Sequence, residues 1–591
     1  MGQLVTLAEI ALREKLGALK RSEIKLLRCV AAGEPADYRE HNKEKDDPDK
    51  KKDDPSNASE WGENRTLRAE IINWLCTNKK ASYYFTNSGV QIAGAKIIGR
   101  IDLSGAAMDY LFIVSHCYIL QGIDISYARV NFLALDGSHI GHDGDPEAVA
   151  FLGDSLIVRG SVFFRDGAKF VGATRLLGAE IGGQLNCRGS SFINLASDAF
   201  NADQIIVKGS VFFSDGARFE GVTRLSGAKI GGQLTCSRSS FINPLDVAFG
   251  GDGMTVKGSV RFDGKALFEG ETRLLDAKIG GELNCQTSSF INFTCLAFNG
   301  DRMTINGSVF LSDSAKFKGM ISLCSAQIGS QLALDKGVFL NNGDKALNLQ
   351  SVIVKNQLLL NKISDIKGDI VLTDGSVSTL KDDAEYWKNN NRIFLKGFTY
   401  KRIECDDDHK ELLTAEARLQ WLAFQEGFHP QTYDQLARAF RNMGQEREAQ
   451  DVLIAKNRRK RKDMNRVLQI WDFLFDISTR YGYSMNRLFW TSIVFFIAGI
   501  FIFCIANDQG IMHFPSSTLH QADLEFNSVL YSLDTLLPIV DLNQEKYWVP
   551  VYQAESAWSQ ITYVYLPIQI LMGWFLTTML LAAITGLIRQ E

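Results

Sequence analysis

A chain of 591 residues is too long for one compact core, so several domains or a repeat array are expected. The net charge of −4 argues neither for nor against nucleic acid, and no motif points to such a partner. Glycine is abundant (50) and proline scarce (10), a balance that suits a turn-rich repeat and disfavours a disordered linker protein.

The opening stretch MGQLVTLAEIALREKLGALK lacks the apolar centre of a secretory signal and reads as the first of two amphipathic helices ending near Cys29. Residues 33–60 carry mixed charge and almost no apolar content, so a solvated loop is expected. Apolar spacing returns in Trp61, Leu67, Ile71, Ile72, Trp74 and Leu75, predicting a short helix that completes an N-terminal helical cap over 1–87.

From residue 88 short β-like runs alternate with glycines, and the pattern repeats. GSVFF at 160–164 recurs at 209–213, as GSVRF at 258–262 and as GSVFL at 307–311. AEIGGQLNC at 179–187 recurs as AKIGGQLTC, AKIGGELNC and AQIGSQLAL, and SSFIN occurs three times. Within each 49-residue unit, Val211, Phe213, Thr223, Leu225, Ile230, Leu234, Cys236, Met254, Val256, Val260 and Phe262 are the predicted inward positions. The predicted fold over 88–382 is mainly β: a right-handed parallel β-helix, with glycines at its corners. Strands recur roughly every 6 residues and coils take roughly 16–17, so one unit is read as about three coils. About 18 coils at ~4.8 Å per rung would make a rod on the order of 85 Å. Cys187, Cys236 and Cys285 stand 49 residues apart in one column, too far for disulfides, as in a reducing compartment.

These runs resemble a pentapeptide-repeat solenoid. Residues 383–484 turn helical, and PQTYDQLARAFRNMGQEREAQDVLIAKNRR at 430–459 resembles a tetratricopeptide-type hairpin. Only one copy is present, so it is expected to cap the solenoid instead of forming a peptide-binding array.

Residues 488–506 contain no charge, and neither do 561–588, each long enough to cross a hydrocarbon core of about 30 Å. Before the first run stand Lys456, Arg458, Arg459, Lys460, Arg461, Lys462 and Arg466, expected to meet anionic inner-leaflet lipids. The loop over 507–560 has one basic residue and seven acids, so the positive-inside rule puts both termini in the cytoplasm, under a bacterial inner membrane.

Inside that loop, residues 526–550 are apolar enough to enter a membrane, yet too few precede Pro538 to cross it, so a re-entrant segment is expected. Leu530, Tyr531, Ser532, Leu533, Asp534 and Thr535 resemble the pore helix of potassium channels, and GWFLTTMLLAAITGLIRQ resembles the close of their inner helix. The upstream STRYGYSMNRLFW is similar to the membrane entry of pentapeptide-repeat proteins that carry such a module. The resemblance implies a tetrameric pore with Ser532, Asp534, Thr535, Pro538, Asp541 and Glu545 as pore candidates. Where a potassium filter has glycines, this chain has Pro538, Ile539, Val540, Asp541 and Leu542, so potassium selectivity is not implied. A ring of Asp541, joined by Glu545, would favour cations by charge. A packed outer loop, with Asp534 pairing locally, is the alternative.

The repeated IGGQL lacks the lysine and the spacing of a phosphate loop and reads as solenoid corners. His139 and His142 beside Asp143 and Asp145 are metal-ligand types but have no second ligand group in view. No enzyme activity, cofactor or metal is expected. Three functions stay open: a cytoplasmic solenoid sensor or scaffold coupled to an oligomeric channel-like pore, a non-conducting membrane-tethered scaffold for a cytoplasmic protein, or a membrane-disrupting stress or phage-defence effector.

Overall fold

The computed structural model describes residues 2–13, 16–40, 52–141, 149–383, 392–514 and 525–584. The chain divides into two compact units, Met1–Gln445 and Glu446–Glu591. This boundary falls between the two halves of the predicted hairpin.

The first unit is a parallel β-solenoid of about 13 turns, on the order of 60 Å long at ~4.8 Å per rung. The coil count from sequence is too high because the 49-residue unit makes two coils, not three. Phe192, Phe219, Phe241, Phe268, Phe290, Phe317 and Phe339 pair rung on rung, so successive coils take alternately 27 and 22 residues. The predicted inward residues, from Val211 to Phe262, are buried.

Two columns fill the wide side of the core. In the first, the rings from Phe170 to Phe317 stack nearly parallel with centroids 4.7–4.9 Å apart, as in Phe241–Phe268 at 4.9 Å and 8°. The second alternates Thr174, Phe200, Thr223, Phe249, Thr272 and Phe298. Its phenyl rings meet the first column edge-on, as in Phe241–Phe249 at 5.3 Å and 81°. Offset stacks and edge contacts are the arrangements the ring quadrupole favours.

The 27-residue coils are longer because of a bulge. Ile193 faces Glu220 and Asp198 faces Val222, so residues 194–197 leave the ladder where the neighbouring strand spends one residue, Gly221. Gly221, Gly270, Gly319 and Gly368 have φ near +120° (+116, +121, +123 and +122°), backbone that a side chain rarely adopts. The amide of the SSFIN asparagine staples each bulge: Asn194 to the Asp198 carbonyl (3.0 Å), Asn243 to Val247 (2.9 Å) and Asn292 to Leu296 (2.9 Å). The bulge tips expose Leu195, Leu245 and Phe293 at 74, 94 and 79%.

The IGG glycines do a different job from the one expected of corner residues. A Cβ on Gly182, Gly231 or Gly280 would collide with the carbonyl oxygen of Arg159, Lys208 or Lys257 on the previous coil. The corners use mixed chemistry: Ser155, Gln204, Gly253, Arg302 and Ser351 share one column, all with φ between +54 and +64°. Arg175–Asp154 (2.5 Å), Arg224–Asp203 (3.0 Å) and Arg273–Asp252 pair coil to coil along the surface.

Helices α1 (Gly2–Arg13) and α2 (Arg21–Ala32) precede the first coil. Within the segment read as a solvated loop, Ala36 and Asp37 instead pair in parallel with Ile92 and Ala93, and Tyr38 is buried. Asp53 is buried against Arg65 at 2.8 Å. Thr66–Arg68 is a strand on Lys96–Ile98, followed by α3 (Ala69–Thr77) and α4 (Lys79–Ser82).

At the other end the solenoid continues past 382, with Thr399–Glu404 pairing onto Ser376–Asp382. Helix α5 (Ala415–Leu422) sends Arg418 into a buried two-pronged pair with Asp382, both at 2.8 Å. Helix α6 (Pro430–Asn442) donates from Gln435 to the Tyr400 carbonyl (2.5 Å) and from Asn442 to that of Lys401 (3.1 Å), covering the last strand's edge.

The second unit is helical: α7 (Glu446–Arg461), α8 (Arg466–Thr479), α9 (Met485–Asp508), α10 (Ser528–Leu536), α11 (Gln544–Tyr547) and α12 (Ala557–Ile584). Helices α9 and α12 are long and apolar enough to cross a membrane, and only 17% of the apolar window of each is buried, unlike the core helix of a soluble fold.

The hydroxyls of Thr174, Thr223 and Thr272 are fully buried between phenyl rings with no hydrogen-bond partner among the described residues. Thr223→Val should therefore stabilise the solenoid by about 1 kcal/mol, seen as a higher urea midpoint. Phe241→Ala, which opens a cavity in both columns, should lower stability by about 3–5 kcal/mol in the same urea titration followed by circular dichroism.

Candidate functional site: the helical C-terminal module

Helix α10 packs between α9 and α12 because small and polar residues let it in. A Cβ on Gly573 would strike the Leu536 carbonyl, and one on Gly499 would strike the Ser532 hydroxyl and the Gln569 amide. Asn527 caps α10 by accepting from the amides of Val529 (3.0 Å) and Leu530 (3.1 Å).

Ser532 donates to the Phe496 carbonyl at 2.9 Å, and Gln569 donates to both Ser532 Oγ and its carbonyl at 2.9 Å. Tyr565 donates to the Phe495 carbonyl at 2.8 Å, and Thr535 turns back onto the Tyr531 carbonyl at 2.8 Å. An amide and hydroxyls placed among apolar helices are expensive unless paired, and here they lock α10 to both neighbours. Gln569 was not singled out in the sequence, although an amide in an uncharged run is the signal that marks it.

The segment after α10 folds back on the Asp534 carboxylate. It accepts from the amides of Leu542 (2.7 Å), Gln544 (2.8 Å) and Glu545 (2.9 Å), so Asp534 is buried and turned into its own loop. Asp541 is exposed, accepts from the Asn543 amide at 2.9 Å and pairs with Lys546. Both contacts hold its carboxyl below the ordinary range. Partial burial, with Asp534 and Asp541 nearby, pushes the Glu545 carboxyl up. Pro538 follows α10, and Ile539 and Val540 beside it are exposed.

Met512–His513 pairs antiparallel with Val549–Pro550. Beneath this closure Phe503, Ile511, Met512 and Tyr531 form a buried cluster with Phe526 and Trp548 packed on it. The segment between α9 and α12 is thus packed against its own described residues, with Asp534 turned inward and Asp541 paired with Lys546.

The basic run is split between two tasks. Arg458 grips Asp476 through both oxygens (2.8 and 2.9 Å), and Arg461 reaches Asp472 (2.5 Å), Asp476 (2.8 Å) and the Tyr481 hydroxyl (2.5 Å), clasping α7 to α8. Arg459, Lys460, Lys462 and Arg466 are exposed, and Lys456 is half-buried. Elsewhere, His139 lies in a strand edge-on to Tyr118, while His142, Asp143 and Asp145 fall outside the described residues.

Comparison with protein-family models, with curated proteins and with solved structures found no match. The pentapeptide-repeat and potassium-channel likenesses therefore rest on the motifs alone.

Asp534→Ala leaves three amides without their acceptor and should lower the thermal stability of this unit in detergent by about 2 kcal/mol or more. Burial acts to raise the Asp476 carboxyl, but the hydrogen bonds and charges of Arg458 and Arg461 outweigh it and hold it low. The clasp is then complete above the ordinary aspartate range and is lost as pH falls through the lowered value. Hydrogen-exchange protection of α8, corrected for intrinsic rates, should hold down to about pH 4 and fall below it.

Proposed function

We propose that the protein is a membrane-tethered solenoid scaffold: α9 and α12 anchor it in a bacterial inner membrane, and the solenoid docks a cytoplasmic protein. The observation that carries this reading is the row of apolar bulge tips. Leu195, Leu245 and Phe293 recur every second coil, about 10 Å apart, on a surface otherwise held by Arg–Asp pairs. The basic run before α9 and the acidic loop between the helices support a cytoplasmic solenoid.

A second reading keeps a pore. A short helix wedged between two apolar ones is costly for a mere anchor, and non-helical backbone at membrane depth is tolerated only inside protein or along water. In favour of the tether, Ser532, Asp534 and Thr535 are taken up in packing within one chain, and Asp541 is paired with Lys546.

Flux measurements on the purified chain in liposomes separate the two. The tether predicts cation leak equal to that of empty vesicles; leak that Asp541→Ala reduces would establish the pore. For the scaffold itself, Leu245→Asp with Phe293→Asp should abolish recovery of a stoichiometric cytoplasmic partner while leaving the protein in the membrane fraction.

A further inference from the structure

Helix α8 presents two opposite faces. Val467, Ile470, Trp471, Leu474 and Ile477 fall at helical spacing on one side, and each is more than half exposed. Asp472 and Asp476 lie on the other, held by Arg461 and Arg458 of α7. A stripe this apolar and this exposed is not explained by the packing of the unit.

Its neighbours say what covers it. Thr491 of α9 donates to the Ser478 carbonyl at 3.1 Å, and Phe475 meets Phe575 of α12 at 5.9 Å. Thr491 lies six residues into α9, so the C-terminal end of α8 meets, about 9 Å along, an apolar helix that would cross the membrane. Helices lying in the plane of a bilayer bury their apolar face about 5–10 Å into the headgroup–acyl boundary. The exposed Arg459, Lys460 and Lys462, just ahead of α8, and Arg466 at its start supply positive charge suited to anionic headgroups.

We propose that α8 is an in-plane membrane helix, with its stripe in the acyl boundary of the inner leaflet and its acidic face turned up against α7. The arginine clasp serves this placement twice. It neutralises two carboxylates that an anionic leaflet would repel, and it fixes the rotation that aims Trp471 at the lipid. The basic run thus contributes orientation through Arg458 and Arg461 and surface attraction through its exposed members. This rests on the membrane reading of α9 and α12.

The test uses the full chain in nanodiscs of anionic lipid with bromine on the acyl chain, either near the headgroup or near the terminal methyl. The fluorescence lost in Trp471→Phe isolates the Trp471 signal; Trp574→Phe does the same for a residue within α12. The Trp471 signal should be roughly halved by bromine near the headgroup and less affected by bromine near the methyl end, with little quenching by aqueous iodide. Quenching by iodide but not by lipid overturns the proposal, as does quenching by neither, which would place a second copy or another protein over the stripe. Trp471→Tyr provides the same difference signal should Trp471→Phe fold poorly. Lipid quenching of Trp574 without that of Trp471 sinks this inference alone; quenching of neither sinks the membrane reading itself.

Discussion

Phenyl rings stacked 4.7–4.9 Å apart set the terms for the whole solenoid. That distance matches the spacing of hydrogen-bonded strands, so ring contact and backbone ladder are satisfied by the same register. A slip of one residue would turn every ring outward, which is why coils of unequal length still return their phenylalanine to one column. The other features accommodate this condition. Glycines at 182, 231 and 280 allow the coils to approach, the bulges absorb surplus residues outside the ladder, and the Arg–Asp pairs follow the same step along the surface.

The second unit follows different rules. No repeat sets its register. Position is fixed by a few polar side chains: Gln569 and Ser532 where α10 enters, Asp534 where the chain turns back, and Arg461 where α7 meets α8. Each makes several bonds at once, and each would be costly if left alone. Ser532 and Asp534, pore candidates in the sequence, spend their polar atoms on hydrogen bonds within the chain.

The repeat and its inward residues were legible because a 49-residue period is visible wherever Phe, Ile and Gly recur. The coil count was not. Unequal coils of 27 and 22 residues look like three short periods, since the bulge at 194–197 carries its own apolar residue outward and mimics a strand. The pairing of Ala36 and Asp37 was hidden for another reason: two residues in a charged segment show no alternation, and their place comes from the neighbouring coil. The two long apolar helices and the short one between them were plain from length and charge. The partners of Asp534 were not, because they are main-chain amides eight to eleven residues away, which have no signature in side-chain pattern.

The alternation of threonine and phenylalanine in the second column has a consequence for how such a chain can grow. Removing one coil would set phenylalanine on phenylalanine or threonine on threonine and put neighbouring bulges in register. Removing two restores every contact. The solenoid is thus a ruler graduated in pairs of coils, whose length changes in increments of about 10 Å. Insertions and deletions that respect the double step leave no scar in the core, while odd ones must be absorbed at an end.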